Sequence, residues 1–399
     1  MSTRVNTHTP GRPEALRASF HKASLGLLFV GIAGSVYALA SDPKRFGFAY
    51  LTSFVFLTTL GCGGLGFVVL QHVSRAGWSV APRRQAEWLA GVLPLAIVLF
   101  IPIGLLAGKI FEVWMHPHGE EHAALLAHKR PYLNQGFFFI RAALCLGIWA
   151  GLSWFFGRTS RRQDETGDLT LTARMQKWSA PSILLLGLSI SFAGFDWVMS
   201  LQPEWYSTIF GIYMIAGSLV SAMAVLAIVV TLLRDHGAFG EVCTKEHLHD
   251  IGKLLFAFTV FWAYIAFSQF ILIWYANIPE ETIFFKHRFE GSWASGSVLL
   301  LFGHFVLPFL VLLSRHGKRN RAVLLGAAIW MVVMHYWDIY WNVMPNLDPD
   351  GIRPSLIDAA TLCLFVGVLL QWFARRMAAD HAYPIRDPRL AEAARNVNL

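Results

Sequence analysis

The chain has 399 residues, of which 55% are hydrophobic and only 15% are charged. This composition is typical of a protein embedded in a membrane and argues against an ordinary soluble domain. The net charge of +8 reflects basic loops at the membrane surface, so it does not indicate nucleic-acid binding.

Ten apolar stretches are each long enough to cross a bilayer, which needs about 20 residues. They lie at 22–40, 47–73, 87–108, 135–157, 178–201, 207–233, 252–276, 292–314, 322–344 and 356–374. Each span must be helical, because no water in the hydrocarbon can satisfy an open backbone. The sequence therefore predicts an all-α polytopic membrane protein with about ten transmembrane helices.

The distribution of basic residues predicts the orientation of these spans. Most of the 33 Lys and Arg residues lie in the two tails and in the loops after spans 2, 4, 6 and 8. By the positive-inside rule, both termini are cytoplasmic. The loops on the opposite side are 116–133, 202–206, 277–291 and 345–355. The polar N-terminus does not resemble a cleaved signal peptide, so span 1 is predicted to stay as an anchor.

Two spans end in similar motifs, which indicates an internal repeat. Asp196 of span 5 and Asp338 of span 9 each follow an aromatic residue and precede a proline by seven positions. The basic runs 128–130 and 286–288 precede spans 4 and 8. We predict two parallel four-helix bundles flanked by peripheral helices. The boundaries are a tail at 1–21, span 1 at 22–40, bundles at 47–201 and 207–344, span 10 at 356–374 and a tail at 375–399.

Motifs in the first three spans and their loops are weak indicators of chemistry. The run Gly61 to Gly66 lies inside span 2 and follows no strand, so it indicates close helix packing rather than nucleotide binding. Span 3 ends with Lys109 and Glu112, whose i, i+3 spacing allows them to neutralise each other. The next loop is interpreted as solvated rather than metal-binding, although it carries His116, His118, Glu120, Glu121 and His122. The sequence predicts no metal site.

The four cysteines also exclude several cofactors. Cys62, Cys145, Cys243 and Cys363 have no CxxC or CxxCH spacing. This argues against iron–sulfur ligation, c-type haem attachment and a disulfide framework.

Ionisable residues inside later spans are the main functional candidates, because such groups usually face a bundle interior or a cavity. Arg141 of span 4 is a natural counter-charge for Asp196, which shares a helix face with Ser189 and Ser200. His335, Asp338 and Asn342 lie on one face of span 9. The remaining polar positions are His304 in span 8 and Tyr264, Ser268 and Gln269 in span 7.

The predicted topology places Arg141, Asp196, His335 and Asp338 towards one leaflet. An apolar pocket with a carboxylate and a histidine suits a quinol, since quinol oxidation releases two protons to nearby acceptors. Alternatively, Asp196 with Arg141 and Asp338 with His335 are structural buried pairs. His304 and His335 are the one histidine pair placed for a b-type haem, so a two-haem arrangement is excluded.

Two segments carry a family resemblance. Residues 191–211 read SFAGFDWVMSLQPEWYSTIFG, and residues 335–345 read HYWDIYWNVMP. Together they resemble the ActF-type membrane subunits of alternative complex III, the bacterial quinol:cytochrome c (or other periplasmic acceptor) oxidoreductase. The resemblance covers essentially the whole chain.

That resemblance implies an NrfD-like fold in the bacterial inner membrane. The implied partners are an ActC-like membrane subunit, an iron–sulfur subunit and c-type cytochrome subunits, which hold the haems and clusters. No cofactor is bound covalently here, and quinone or menaquinone is the implied ligand. The implied quinol-binding or proton-path residues are Asp196, Arg141, His304, His335, Asp338, Lys109 and Glu112.

Three functions remain open on sequence alone. The chain is a subunit that binds quinol and accepts its protons, or a proton-conducting or purely structural scaffold without quinol, or an independent secondary transporter. The transporter is the weakest of these, because it should show broken helices and a midplane substrate site. In none of them does the chain transfer electrons itself, since it lacks a redox ligand set.

Overall fold

The computed structural model describes residues 13–117 and 126–397. These ranges contain helices and no strand, which confirms the predicted all-α class. Ten of the described helices are long and apolar enough to cross a membrane, as in a multi-pass membrane protein. They are α1 (Glu14–Ser41), α2 (Pro43–Val73), α3 (Gly77–Leu105), α4 (Gln135–Thr166), α5 (Thr170–Leu201), α6 (Phe210–Asp235), α7 (Lys245–Ala276), α8 (Gly291–Leu313), α9 (Arg321–Asn346) and α10 (Leu356–Ala379).

Several helices begin well before their apolar spans. The largest shift is in α3, which begins at Gly77 rather than at 87 and has charged residues in its first turns. Hydropathy misses these turns because charged residues lower the local average. In the fold, the charges are buried against other protein groups. α3 is also interrupted, with short helical segments ending at Ala90, Leu99 and Leu105.

The membrane-length helices pack in two closed rings. In the first bundle α2 contacts α3, α3 contacts α4, α4 contacts α5, and α5 returns to α2; α6 to α9 form the second bundle in the same order. The two bundles meet mainly where α2 packs on α6, while α1 and α10 pair with each other beside α2. Of the 18-residue apolar stretch of α2, 89% is buried, whereas only 22% of the corresponding stretch of α1 is buried. The centre of the molecule is therefore α2, and α1 is peripheral.

The contact between the bundles depends on a glycine. A Cβ added at Gly63 of α2 would lie 1.8 Å from the backbone oxygen of Ser218 in α6. No side chain fits at that distance, so the two backbones approach as closely as glycine allows. The sequence Gly61 to Gly66 thus serves helix packing.

Gly63→Ala should separate the two bundles. The new methyl group overlaps a backbone oxygen that cannot rotate away, so we expect stability to fall by about 3 kcal/mol, the upper end of ordinary overpacking. Thermal unfolding of the purified protein in detergent measures the loss. Gly147→Ala is the matched control, because a Cβ there meets nothing within 4 Å. Equal stability of both variants would contradict the close approach of α2 and α6.

The basic runs of the repeat occupy equivalent places. Lys129 donates to the carbonyl oxygen of Pro203, beyond the end of α5, at 2.5 Å. Arg288, in the connecting helix Pro279–Phe289, donates to the carbonyls of Trp341 and Asn342 near the end of α9 at 3.2 and 2.9 Å. Arg288 satisfies carbonyls that the end of α9 leaves open, whereas Lys129 binds a carbonyl in the loop after α5. Burial lowers the pKa of Arg288.

The far loop lies partly outside the described residues. This loop was predicted to be solvated rather than metal-binding. Four of its residues fall outside the part that the structure describes: His118, Glu120, Glu121 and His122. Their neighbour His116 is described, and it is exposed at the end of a short helix.

The end of the molecule covered by residues 380–397 is called the tail end, and the opposite one is called the far end.

Candidate functional site

The first bundle contains a closed ion pair. Arg141 donates to both carboxylate oxygens of Asp196, from Nε at 2.7 Å and from Nη2 at 2.8 Å. Its third nitrogen donates to the carbonyl of Tyr132 at 3.0 Å, and the guanidinium lies 3.8 Å from the centre of the Tyr132 ring. The two side chains meet as the sequence predicts. Because both carboxylate oxygens already accept from Arg141, this geometry stabilises the bundle and leaves little capacity to accept a further proton.

The second bundle contains three buried groups that face one another, His304, His335 and Asp338, here called the polar cluster. Their ligating atoms all lie within 4.8 Å of one another, and none of the three residues is more than 2% exposed. His304 lies in a π-helical segment of α8, Leu300–Val306. Such widened turns are rare and occur frequently at functional sites.

Asp338 is held by donors from three helices. Tyr213 of α6 donates to Oδ1, and Trp262 of α7 donates from Nε1 to Oδ2 at 3.1 Å. Asn342, one turn further along α9, donates to Oδ1 at 3.2 Å. Asp338 and Asn342 were predicted from the sequence, but the other two donors were not, because they are distant in the chain. These hydrogen bonds fix the orientation of the carboxyl group.

A threonine lies against His335. Thr59 Oγ1 lies 2.8 Å from His335 Nε2, and it also lies 2.8 and 2.9 Å from the carbonyl oxygens of Val55 and Phe56. A hydroxyl has one proton to donate; when that proton goes to a carbonyl, Thr59 accepts from His335, and Nε2 carries the imidazole proton. The other nitrogen, Nδ1, is then an acceptor, and it has no partner among the described residues.

A glycine leaves open the space that this acceptor faces. A Cβ at Gly217 of α6 would lie 3.6 Å from His335 Nδ1 and 3.8 Å from Asp338 Oδ2. The cavity beside it, also lined by Tyr213 and Asn342, measures about 10 Å³, which is about the space that one water needs. Two acceptors lining one small space are stable together only when a proton, a water or a cation lies between them.

Polar contacts continue from the cluster towards the far end. Asn346 donates to the carbonyl of Asn342 at 3.3 Å, and it lines a larger cavity of about 240 Å³. Lys109 and Glu112 line the same cavity from two short helices that follow α3. The helix is interrupted between them, and Glu112 pairs with Lys44 of α2 at 2.8 Å. Polar residues at the end of α9 and just after α3 therefore line one cavity at the far end.

Two polar residues of α7 that the sequence singled out lie in different environments. Tyr264 of α7 is 65% exposed and faces away from the bundle, whereas Gln269 of the same helix lines an internal cavity of about 70 Å³. His304 and His335, the one histidine pair placed for a b-type haem by the sequence, have ligating atoms within 4.8 Å of each other and of Asp338. Haem binding by this pair stays a prediction.

A second buried charge network lies at the tail end, and it was not predicted from the sequence. Arg83 of α3 donates to Asp387 of the tail at 2.5 Å and lies 3.4 Å from Glu87, with all three side chains at most 1% exposed. Arg84 donates to Glu87 at 2.9 Å and also pairs with Asp164 of α4. Buried charges among the described residues therefore occur at the tail end as well as inside the two bundles. The available signal was Glu87 at helical spacing from two adjacent arginines.

Comparison with known proteins does not identify the chain. No family model matches it, and no curated protein matches it. The resemblance to ActF-type subunits depends on the segments that end α5 and begin α6, and on the end of α9, and it stays a prediction.

Proposed function

We propose that this chain is a proton-handling membrane subunit of a quinol-oxidising electron-transport complex of the alternative complex III type. The observation that carries the proposal is the polar cluster, in which the acceptor His335 Nδ1 and Asp338 line one water-sized space. A proton held between a carboxylate and an imidazole can pass to either group or to a water beside them. The chain carries no electrons in this proposal, and the redox centres belong to partner subunits.

The cluster handles protons and does not bind the quinol ring. Its cavity of about 10 Å³ holds about one water, whereas a ligand ring needs a pocket many times larger. The cavity of about 240 Å³ lined by Lys109 and Glu112 has the size for a quinol headgroup. The contacts through Asn342 and Asn346 connect that cavity to Asp338. Quinol bound at the far end would thus release its protons next to a polar route.

The closed ion pair has a different role in this proposal. Arg141 and Asp196 satisfy each other and stabilise the first bundle, so the proton-active groups are those of the second bundle. The positive-inside distribution supports cytoplasmic termini, and the family resemblance implies the bacterial cytoplasmic membrane. The far-end cavity then faces the periplasmic side, where partner subunits with haems and iron–sulfur clusters would meet it.

Asp338→Asn tests the proposal. The amide keeps the size of the side chain but cannot take up a proton, so we expect quinol-driven proton movement to slow by about a hundredfold, the lower end of what a positioned acid–base group contributes. The measurement uses the intact complex in liposomes with a pH-sensitive dye, after addition of a quinol and an electron acceptor. Assembly of the complex should be unchanged.

The control is Asp350→Asn, because that side chain is 80% exposed in the loop after α9. It should leave proton movement at the native rate. If Asp338→Asn moved protons as fast as the native protein, the cluster would have no part in proton handling. If Asp338→Asn caused the complex to fall apart, the structural scaffold would be the better description.

A further inference from the structure

The polar cluster has the composition of a metal site. Two imidazoles and one carboxylate, His304, His335 and Asp338, offer one ligand atom each, all within 4.8 Å of one another. Both ring nitrogens of His304 and the Nδ1 atom of His335 have no hydrogen-bond partner among the described residues. A buried, unpartnered imidazole nitrogen is an unused ligand. We propose that these three residues bind a divalent transition-metal ion, with Zn²⁺ as the best match.

The geometry needs little adjustment for such an ion. Tetrahedral Zn²⁺ with bonds of about 2.0–2.1 Å holds its ligand atoms roughly 3.4 Å apart. The cluster therefore has to contract by at most about 1.4 Å to reach this spacing. The water-sized cavity beside Gly217 supplies the fourth position. Three protein ligands and one open position form the arrangement of a reactive zinc site rather than a closed structural one.

The surroundings already fix the ligands in binding orientations. Thr59 Oγ1 contacts His335 Nε2 at 2.8 Å, whereas Nδ1 has no hydrogen-bond partner among the described residues and is the nitrogen available to a metal. Trp262 donates to Asp338 Oδ2 and packs against the His304 ring at a tilt of 31°, with ring centres 3.9 Å apart. Metal-binding histidines and carboxylates are commonly held by such outer hydrogen bonds, whose loss weakens binding about 10–100-fold.

The ligand types select the class of ion. Imidazole nitrogen suits Zn²⁺ and Cu²⁺, whereas Mg²⁺ and Ca²⁺ require mostly oxygen ligands. The site has a single carboxylate, so the hard cations would lack partners. An ion bound here lies between His335 Nδ1 and Asp338 and replaces the proton or water in that space. It would therefore block the proton handling proposed above.

The metal site rests on the geometry of the cluster and not on the proposed function. Equilibrium metal binding needs no quinol, no electron transfer and no proton movement. A failed proton measurement with Asp338→Asn would therefore leave the metal site standing, and a failed metal measurement would leave proton handling standing.

Cobalt titration of the purified full-length chain tests the site. Co²⁺ is the probe, because it occupies zinc sites and absorbs visible light when it is four-coordinate. We expect one Co²⁺ per chain, with the visible band lost on adding equimolar Zn²⁺. His304→Ala removes a ligand, and Gly217→Ala places a methyl group in the cavity that supplies the fourth position, so each should weaken binding at least about tenfold.

The control is His72→Ala, which removes another buried histidine whose ring nitrogens have no hydrogen-bond partner among the described residues. It should leave the cobalt signal unchanged. Gly217→Ala adds a single methyl group to a helix, where alanine is the better helix former, so it remains informative if His304→Ala fails to fold. The proposal is overturned if the native chain binds no Co²⁺, or if binding survives in Gly217→Ala, or if His72→Ala abolishes it.

Discussion

Asp196→Ala should destabilise the protein by about 3–5 kcal/mol, the range measured when one partner of a buried ion pair is removed. Asp196 is 1% exposed and accepts two hydrogen bonds from Arg141. Without it, the guanidinium stays buried in the bundle with the Tyr132 carbonyl as its remaining described acceptor. Thermal or denaturant unfolding of the purified protein in detergent measures the loss.

A double variant separates the loss of the pair from the burial of an unpaired charge. Arg141→Met combined with Asp196→Leu removes both charges and fills the space, and buried pairs replaced in this way are often neutral or stabilising. We expect the double variant to recover most of the lost stability. The result that contradicts a structural pair is an Asp196→Ala protein as stable as the native one.

Asp387→Ala should release the tail from the bundles, with a loss of about 3 kcal/mol for the broken buried pair. Arg83 would lose its bond to the tail, and among the described residues it would keep the ion pair with Glu87, at 3.4 Å. Trypsin measures the release, because Arg386 and Arg389 flank the substituted residue. The native tail should resist cleavage there, and the variant tail should be cut rapidly.

The same contact predicts a pH dependence. Burial by itself raises the pKa of Asp387. Arg83 and the backbone of Arg389 together lower that pKa by more than burial raises it, so the pKa lies below the ordinary value. A carboxyl with a lowered folded pKa stabilises the docked tail above its unfolded pKa, about 3.9 for Asp, and loses that contribution as the pH falls through the folded value. Protection from an acid-tolerant protease such as pepsin should persist down to about pH 5 and decline below about pH 4.

Asp235→Ala is the matched control for the tail. That carboxylate pairs with Arg321, whose side chain is 51% exposed, at the end of α6. Exposed pairs contribute about 0–1 kcal/mol, so the tail should stay protected. Cleavage of both variants at the same rate would show that Asp387 does not hold the tail.

The fold was predictable because hydropathy is a local property. Each span contains enough apolar residues to be identified by itself, and the charges of Arg141 and Asp196 predicted a contact between neighbouring helices. The ends of the helices were not predictable in this way. Arg83 and Arg84 look like a cytoplasmic loop until the tail is folded over them, and no local average contains Asp387.

The candidate site was predictable only on one helix. His335 and Asp338 share a face of α9, and that spacing can be read directly. Tyr213, Trp262 and Thr59 come from three other helices, and their hydrogen bonds depend on how those helices pack. Gly217 matters because it leaves a small cavity beside His335 and Asp338. A sequence alone does not show that this cavity exists.

The position of the tail has a consequence for biosynthesis. Residues 380–397 follow all ten membrane helices, yet Asp387 bonds to Arg83 of the first bundle and Asn396 bonds to Asp250 of the second at 2.6 Å. A ribosome makes these residues only after all ten helices have been synthesised. Until then Arg83 lacks Asp387 and Asp250 lacks Asn396, so both bundles form without their contacts to the tail. A chain cut short before residue 387 should therefore be recognised by membrane quality-control proteases, even though each of its helices is complete.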